Sequence, residues 1–338
     1  MKAVYIKAPF TFEVKDVKLR DIKADEVLVK VKACSVCGHD IIMGSYADHL
    51  QPFGHEIGGL VEKTGPLVKN VKAGDRVALE SGTFDRFSDS SRNGRVDLDS
   101  KGPNFWLKDE DTMGFAEYII APCETCVKTG DLSFEEASLI EPLGVAYDLV
   151  KTADIQLGDD VLVIGLGPLG LLASRLARAR GARRVYGSEL SACKARIAFA
   201  KKWGADDVIC PDLESLADHA FPKGGVDRVL VTAPPATIPD ALKICNIGGI
   251  VAFLGIDYGP GGNVTFDSNM FHVNKLQLRS SFASPALYFP ACIELVKSGV
   301  VKSAEMVTHR FALEDTGKAI VDFTKDKENG IKAVMIND

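Results

Sequence analysis

The sequence predicts an α/β protein, a doubly wound parallel-sheet domain joined to a second, mainly-β domain. Three observations carry this expectation. The chain has 338 residues, about twice the ~150-residue prior for one domain. From Leu157 onward, short apolar strands alternate with amphipathic helices, the pattern of a parallel sheet with crossover helices. Before that, roughly the first 80 residues are strand-rich and punctuated by Gly, Pro and charged turns.

In order, VYIKA, FEVKDV, VLVKVKACSV and IGGLVEK read as strands from their alternating or β-branched runs. Residues 81–112 are crowded with Asp, Ser, Arg and Gly, have no periodicity and read as a loop lobe. DDVLVIG then reads as strand, GLLASRLARARG as helix, RRVYGSE as strand and ACKARIAFAKKWGA as helix. DDVICP and GVDRVLVTA are the next strands, IPDALKICNIGG a helix, and IVAFLG and LQLRSSF the closing strands of that domain. The helical segments YFPACIELVKSG and AIVDFTKDK and the strand IKAVMI return to the first domain. The expected division is 1–144 with 283–338 for the mainly-β domain, and 145–282 for the parallel-sheet domain.

Composition limits the function. Hydrophobic residues at 46% and charged residues at 25% are ordinary for a globular chain and exclude a mainly disordered or fibrous protein. Forty Lys and Arg against forty-six Asp and Glu give a formal charge of -6 with no basic run, so nucleic acid is not an expected partner. No stretch approaches the ~18 apolar residues of a membrane helix. The N-terminus lacks an apolar signal core, which points to a cytoplasmic protein. Eight scattered cysteines are too few for a disulfide scaffold.

Two constellations carry chemistry. Val161–Ile164 runs into Gly165-Leu-Gly167-Pro168-Leu169-Gly170 and then into a helix, with Glu189 ending the next strand. Strand, GxGxxG, helix and an acid ~20 residues on are the parts of a dinucleotide site. The glycines permit a tight turn and close approach to a pyrophosphate, and the helix N-terminus offers its N–H groups. Glu189 would accept from the adenosine ribose and repel a 2'-phosphate, favouring NAD over NADP. Lys194, close by in sequence, would weaken that preference. Second, Cys37-Gly-His39-Asp40, Gly54-His55-Glu56 and Glu141-Pro142 offer a thiolate, an imidazole and carboxylates from three segments. That donor set suits a four-coordinate zinc with one open position.

With these motifs in place, the chain resembles the zinc-dependent medium-chain dehydrogenases of the alcohol, sorbitol and threonine dehydrogenase group. The resemblance covers nearly the whole sequence and also runs through Gly74-Asp75-Arg76-Val77 and Phe115-Ala-Glu117-Tyr118. It implies a GroES-like catalytic domain beside a Rossmann NAD-binding domain. It implies that Cys37 and His55 bind a catalytic zinc, one per chain, and that Glu141 is the third protein ligand or a water-linked carboxylate. Glu56 ligates zinc in polyol-type relatives and would exchange with Glu141 or water, while Asp40 would orient a ligand. The implied reaction is hydride transfer between NAD(H) and a secondary alcohol or ketone, with zinc acting as a Lewis acid. Glu-Pro at Glu141 resembles the polyol and threonine branch, where simple alcohol dehydrogenases use Cys. The resemblance further implies a small-molecule substrate and a homodimer or homotetramer.

The chain departs from the family in two places. Relatives usually have Ser or Thr where His39 stands, so His39 reads as a proton relay, a substrate contact or a neutral substitution beside a water relay. Relatives also commonly hold a structural zinc on cysteines spaced C-x2-C-x2-C-x7-C, and here Asp85, Ser88, Ser91 and Asp99 occupy the four positions. Salt links from Asp85 or Asp99 to Arg86, Arg92 or Arg95 are expected to hold that lobe instead. Phe105, Trp106 and Phe115 either line the substrate mouth or pack under the lobe. Other readings stay open: an amino-alcohol dehydrogenase, a zinc-free enone or quinone reductase, and a non-catalytic nucleotide-binding protein.

Overall fold

The computed structural model describes residues 1–99, 106, 112–284 and 288–337. The chain forms two compact units. One comprises Met1–Gly144, Ala283–Asp326 and Lys332–Asp338, the other Val145–Phe282 and Lys327–Ile331.

The first unit is built on two β-sheets. Its main sheet runs Val307–Phe311, Lys332–Ile336, Glu26–Ser35, Glu56–Thr64, Arg76–Leu79, Cys126–Lys128, and Tyr118–Pro122 also pairs with Glu26–Ser35. A three-stranded sheet of Thr11–Asp16, Lys2–Lys7 and Gln51–Pro52 accompanies it. Val27, Val29 and Val31 alternate inward along their strand and join Ile57, Val61, Val77 and Leu79 in one buried cluster. Register matters more here than fold. Ser35 lies opposite both Glu56 and Val334, so the end of one strand, the start of a second and the middle of a third meet beside Cys37 and His55.

Phe115 is 1% exposed and packs against Phe53 with ring centroids 4.6 Å apart. Trp106 is buried and its indole N–H donates to the Glu80 carbonyl at 2.8 Å. Both are packing residues, which removes them from a substrate mouth; Phe105 lies outside the described residues. The lobe is also less irregular than its composition suggests. Asp89–Arg92 forms a helical turn capped by Ser88, whose Oγ accepts from the Ser91 amide at 3.2 Å, and Val96–Leu98 forms a short 3-10 turn.

The second unit is a six-stranded parallel sheet. From edge to edge the strands are Asp207–Ile209, Arg184–Ser188, Asp160–Ile164, Val226–Val231, Cys245–Phe253 and Gln277–Ser280. Numbered along the chain this is the order 3-2-1-4-5-6, the doubly wound dinucleotide topology with its switch point between the first and fourth strands. Asp160–Ile164 is buried at every position, as a central strand covered on both faces must be. The following helix, Pro168–Ala179, begins with Pro at its first turn and buries Leu171, Leu172 and Leu176 on one stripe. The helix expected over 238–249 is shorter: it spans Ile238–Ile244, and Cys245 already opens the next strand. Among the described residues, no helix is long and apolar enough to cross a membrane.

Candidate metal and nucleotide sites

Cys37 caps the helix Gly38–Tyr46. Its thiol accepts from the His39 amide at 3.5 Å, and Asp40 Oδ2 accepts from the Cys37 amide at 2.9 Å, a reciprocal cap that fixes where the thiol points. His55 and Glu56 enter from the start of the neighbouring strand. Donor atoms of Cys37, His55 and Glu56 lie within 4.8 Å of one another, the one such cluster among the described residues. Glu141, in the first turn of Ile140–Thr152, is buried nearby but lies outside that cluster. Asp40 is fully buried, and its Oδ1, without a hydrogen bond, sits 3.6 Å from His55 Nδ1. That contact favours a proton on Nδ1 and leaves Nε2 for a metal.

The electrostatics ask for a cation. Burial pushes the Cys37 thiol up and raises Glu141 to about 7. Burial opposes charge on His55, but Cys37, Asp40 and Glu141 outweigh it and hold the imidazole well above its ordinary range. Several acids therefore share a largely buried pocket with few positive groups. A thiolate, an imidazole and carboxylates in that setting fit a zinc ion.

One positive group is Lys332, which no motif in the sequence singles out. Its side chain is 3% exposed; Nζ lies 2.5 Å from Glu56 Oε2 and donates to the Val36 carbonyl at 2.8 Å. Ser35 Oγ donates to the same Glu56 oxygen. Burial works against the ammonium, yet Glu56 and Cys37 more than offset it and raise its pKa. Tyr46 was also missed: its hydroxyl lies 3.3 Å from His39 Nε2, and the His39 ring is 6.4 Å from that of His55. Burial and the neighbouring His55 lower the pKa of His39.

In the second unit, Gly165 has φ +89°, and the Gly165 amide donates to Ser188 O at 2.8 Å. Gly167 precedes Pro168 at the helix N-terminus, and no side chain caps that terminus. An uncapped N-terminus above a glycine turn is an anion cradle and fits a dinucleotide pyrophosphate. Leu169 and Gly170 continue the first turn. Glu189 Oε2 accepts from the Leu166 amide at 3.1 Å and Oε1 from the Leu190 amide at 2.9 Å, so the carboxylate is held against the loop. Lys194 points elsewhere, its Nζ 2.8 Å from Glu328 Oε1.

Comparisons with known proteins give the family. The alcohol dehydrogenase GroES-like domain family matches residues 23–131, and the zinc-binding dehydrogenase family matches 168–298. D-xylulose reductase of Saccharomyces cerevisiae is 30% identical, over 99% of this chain and 97% of its own. The chain belongs to the zinc-dependent medium-chain dehydrogenases. Sorbitol dehydrogenase of Bacillus subtilis is 29% identical over 99% of this chain and 97% of its own, which sets the dehydrogenase in the polyol branch. The solved short chain alcohol dehydrogenase (rspB) from E. coli CFT073, complexed with NADH, superimposes with a TM-score of 0.90, covering 100% of this chain and 99% of that one. At 23% identity that likeness speaks for the fold alone.

The dehydrogenase's lobe does not fit the structural zinc common in its relatives. Asp99 Oδ2 accepts from the Asp85 amide at 2.7 Å, and Asp85 Oδ1 accepts from the Phe87 amide at 2.9 Å. Ser88 Oγ donates to Ser91 Oγ at 3.0 Å. Two carboxylates bonded to backbone amides and two hydroxyls bonded to each other are a poor zinc donor set. Asp85 and Asp99 thus reach backbone amides, as a carboxylate in a tight turn does first. Arg86 instead pairs with Glu124 at 3.4 Å and Arg95 with Asp97 at 3.2 Å.

Proposed function

We propose that the chain is a zinc-dependent, NAD(H)-linked dehydrogenase that interconverts a secondary alcohol and a ketone on a polyol, sugar or sugar-acid substrate. The convergence of Cys37, His55 and Glu56 donor atoms within 4.8 Å carries this reading. Zinc bound there supplies a Lewis acid for the alcohol oxygen, and NAD supplies the hydride acceptor. Cys37 and His55 are the ligands, with Glu56 and Glu141 as the carboxylates that complete or exchange in the set. Asp40 fixes the ring of His55. His39 and Tyr46 place an imidazole and a phenol side by side, a polar edge suited to a substrate with several hydroxyls. Gly165, Gly167, Pro168, Leu169 and Gly170 form the pyrophosphate turn, and Glu189 receives the adenosine ribose.

The test is NAD-linked turnover over polyols, sugar acids, amino alcohols and simple secondary alcohols, with and without a zinc chelator. We expect chelator-sensitive turnover on polyhydroxy substrates and one zinc per chain by metal analysis. Turnover that survives chelation would move the zinc-free reductase to the front, and two zinc ions per chain would refute the reading of the lobe.

We also infer a homo-oligomer in the cytoplasm. Gln277–Ser280 is an edge strand of the six-stranded sheet, and the same unit exposes Ile247, Tyr258 and Val273 by 67–76%. Eight free thiols suit a reducing compartment. Sedimentation that finds only monomer would overturn the assembly.

A further inference from the structure

Cys123-x2-Cys126 is a thiol pair that neither site uses, and the fold sets both cysteines on one turn. Cys123–Thr125 forms a single 3-10 turn after the strand Tyr118–Pro122, and the Cys126 amide closes it on the Cys123 carbonyl. In such a turn the side chains of residues three apart eclipse, and their Cα atoms lie within about 7 Å. A disulfide spans Cα atoms about 4.4–6.8 Å apart, so the backbone is already near bridging distance. The turn is well anchored. The Cys123 amide donates to the Asp25 carbonyl at 3.1 Å, and Thr125 Oγ1 donates to the Pro122 carbonyl at 2.8 Å. Asn70 Nδ2 donates to the carbonyls of both Cys123 and Cys126, at 2.6 and 3.3 Å.

The thiols themselves are held loosely. Cys123 Sγ lies 3.8 Å from Glu124 Oε2, and Cys126 Sγ lies 3.8 Å from the Pro122 carbonyl. They differ in access, because Cys126 is buried and Cys123 is partly exposed. Cys34-x2-Cys37 has the same spacing without the turn. Cys34 belongs to the strand Glu26–Ser35 and turns its Sγ toward Gly54 and Gly114, while Cys37 caps the next helix and joins the metal cluster. Cys193, Cys210, Cys245 and Cys292 belong to four separate segments.

We propose that Cys123 and Cys126 are a redox-sensitive dithiol that a small-molecule disulfide converts to an internal disulfide. Cys123, the accessible member, attacks as thiolate one sulfur of the small disulfide, forms a mixed disulfide and expels one thiolate. Cys126 then gives up its proton, attacks Cys123 Sγ and expels the second thiolate. Two protein thiols are oxidised, and the small disulfide leaves as two thiols carrying the two protons. Only the weak contacts to Glu124 and the Pro122 carbonyl are lost. Burial and Glu124 push the Cys123 thiol up, with Arg86 offsetting them in part, so the exchange is slow at neutral pH. In a reducing compartment the pair rests as thiols and closes when the share of disulfide rises. Closure stiffens the floor of the lobe. Cys126 opens the edge strand Cys126–Lys128 opposite Leu79, the Glu80 amide donates to the Thr125 carbonyl at 2.9 Å, and Arg86 of the lobe pairs with Glu124 at 3.4 Å.

The experiment equilibrates the zinc-loaded full-length protein in glutathione buffers of rising glutathione disulfide content, then quenches with acid and alkylates the remaining thiols. No Lys or Arg lies between Lys108 and Lys128, so both cysteines fall on one tryptic peptide that holds no other. We expect that peptide to lose two hydrogens and escape alkylation as the buffer becomes more oxidising, and to return to thiols when glutathione is restored. Cys126→Ser should stop at a glutathione adduct on Cys123, at least about tenfold more abundant than in wild type, where the second thiol acts at intramolecular effective concentration. Cys123→Ser should leave Cys126 a thiol. A wild-type peptide still fully alkylated in the most oxidising buffer would overturn the proposal, whatever the variants do. So would a wild-type adduct as abundant as that of Cys126→Ser, or a bridge from either cysteine to a third. A glutathione adduct on Cys126 in Cys123→Ser would overturn the order of attack.

Discussion

Replacing Lys332 with Met is expected to destabilise the protein by roughly 3–5 kcal/mol, the range for removing one partner of a buried ion pair. Lys332 and Glu56 are 3% and 2% exposed, so neither can turn to water when the other is lost. Methionine nearly matches the lysine stem in volume, so the loss measures charge and hydrogen bonding rather than a cavity. Glu56 would keep only Ser35 as a protein donor, and the Val36 carbonyl would lose its bond from Nζ. Denaturant unfolding of Lys332→Met, Glu56→Gln and the double variant gives the coupling between them. The double variant should recover much of the loss, because a neutral amide beside Met buries no unpaired charge. A double variant as unstable as the sum of the singles would mean that Lys332 acts by packing alone.

That pair also shows where the sequence stops being readable. Cys37, His55 and Glu56 stand out because a thiol, an imidazole and a carboxylate, all metal donors, lie within two short segments. Lys332 is invisible by the same logic. It opens an ordinary strand, IKAVMI, hundreds of residues away, and a lysine there reads as solvent-facing until register sets that strand beside Glu26–Ser35. The nucleotide turn is legible because strand, glycines and helix are contiguous and each glycine has a local steric reason. Its charged rim is not. Two positions along a helix are ~200° apart, so Lys194 and Arg196 face different neighbours, and only the fold shows that Lys194 pairs with Glu328 while Arg196 lies 3.4 Å from Glu189. The helix expected over 238–249 ends at Ile244, because a short apolar run fits either period. The strand takes over at Cys245, and Gly248, with φ +80°, and a register shift between Val226 and Arg228 mark an irregularity at the start of its pairing. The lobe read as loop because its polar residues mask a Ser88 cap, and a cap is worth a turn of helix even without apolar spacing.

The glycines of the nucleotide turn make opposite predictions when each is changed to Ala. At Gly170 a methyl group would lie 1.8 Å from the Gly165 carbonyl oxygen and 2.9 Å from Thr232 Oγ1. Neither can retreat easily. The Gly165 carbonyl accepts from Thr232 Oγ1 at 2.8 Å, the Gly165 amide is bonded to Ser188 O, and Ser174 holds the Gly170 carbonyl from the helix side. Gly170→Ala must therefore push helix and loop apart, at a cost of roughly 2–4 kcal/mol for an overpacked, hydrogen-bonded contact, and NADH affinity should fall with it. At Gly167 the backbone is ordinary, with φ -62°, and the nearest atom to an added methyl is 4.0 Å away. Gly167→Ala should leave stability within about 0.5 kcal/mol of wild type yet weaken NADH, because the methyl projects where a pyrophosphate would approach the helix N-terminus. Urea unfolding beside NADH titration separates the two. If Gly167→Ala bound NADH as well as wild type, the turn would be a plain strand-to-helix connection, with Gly170 kept for packing alone.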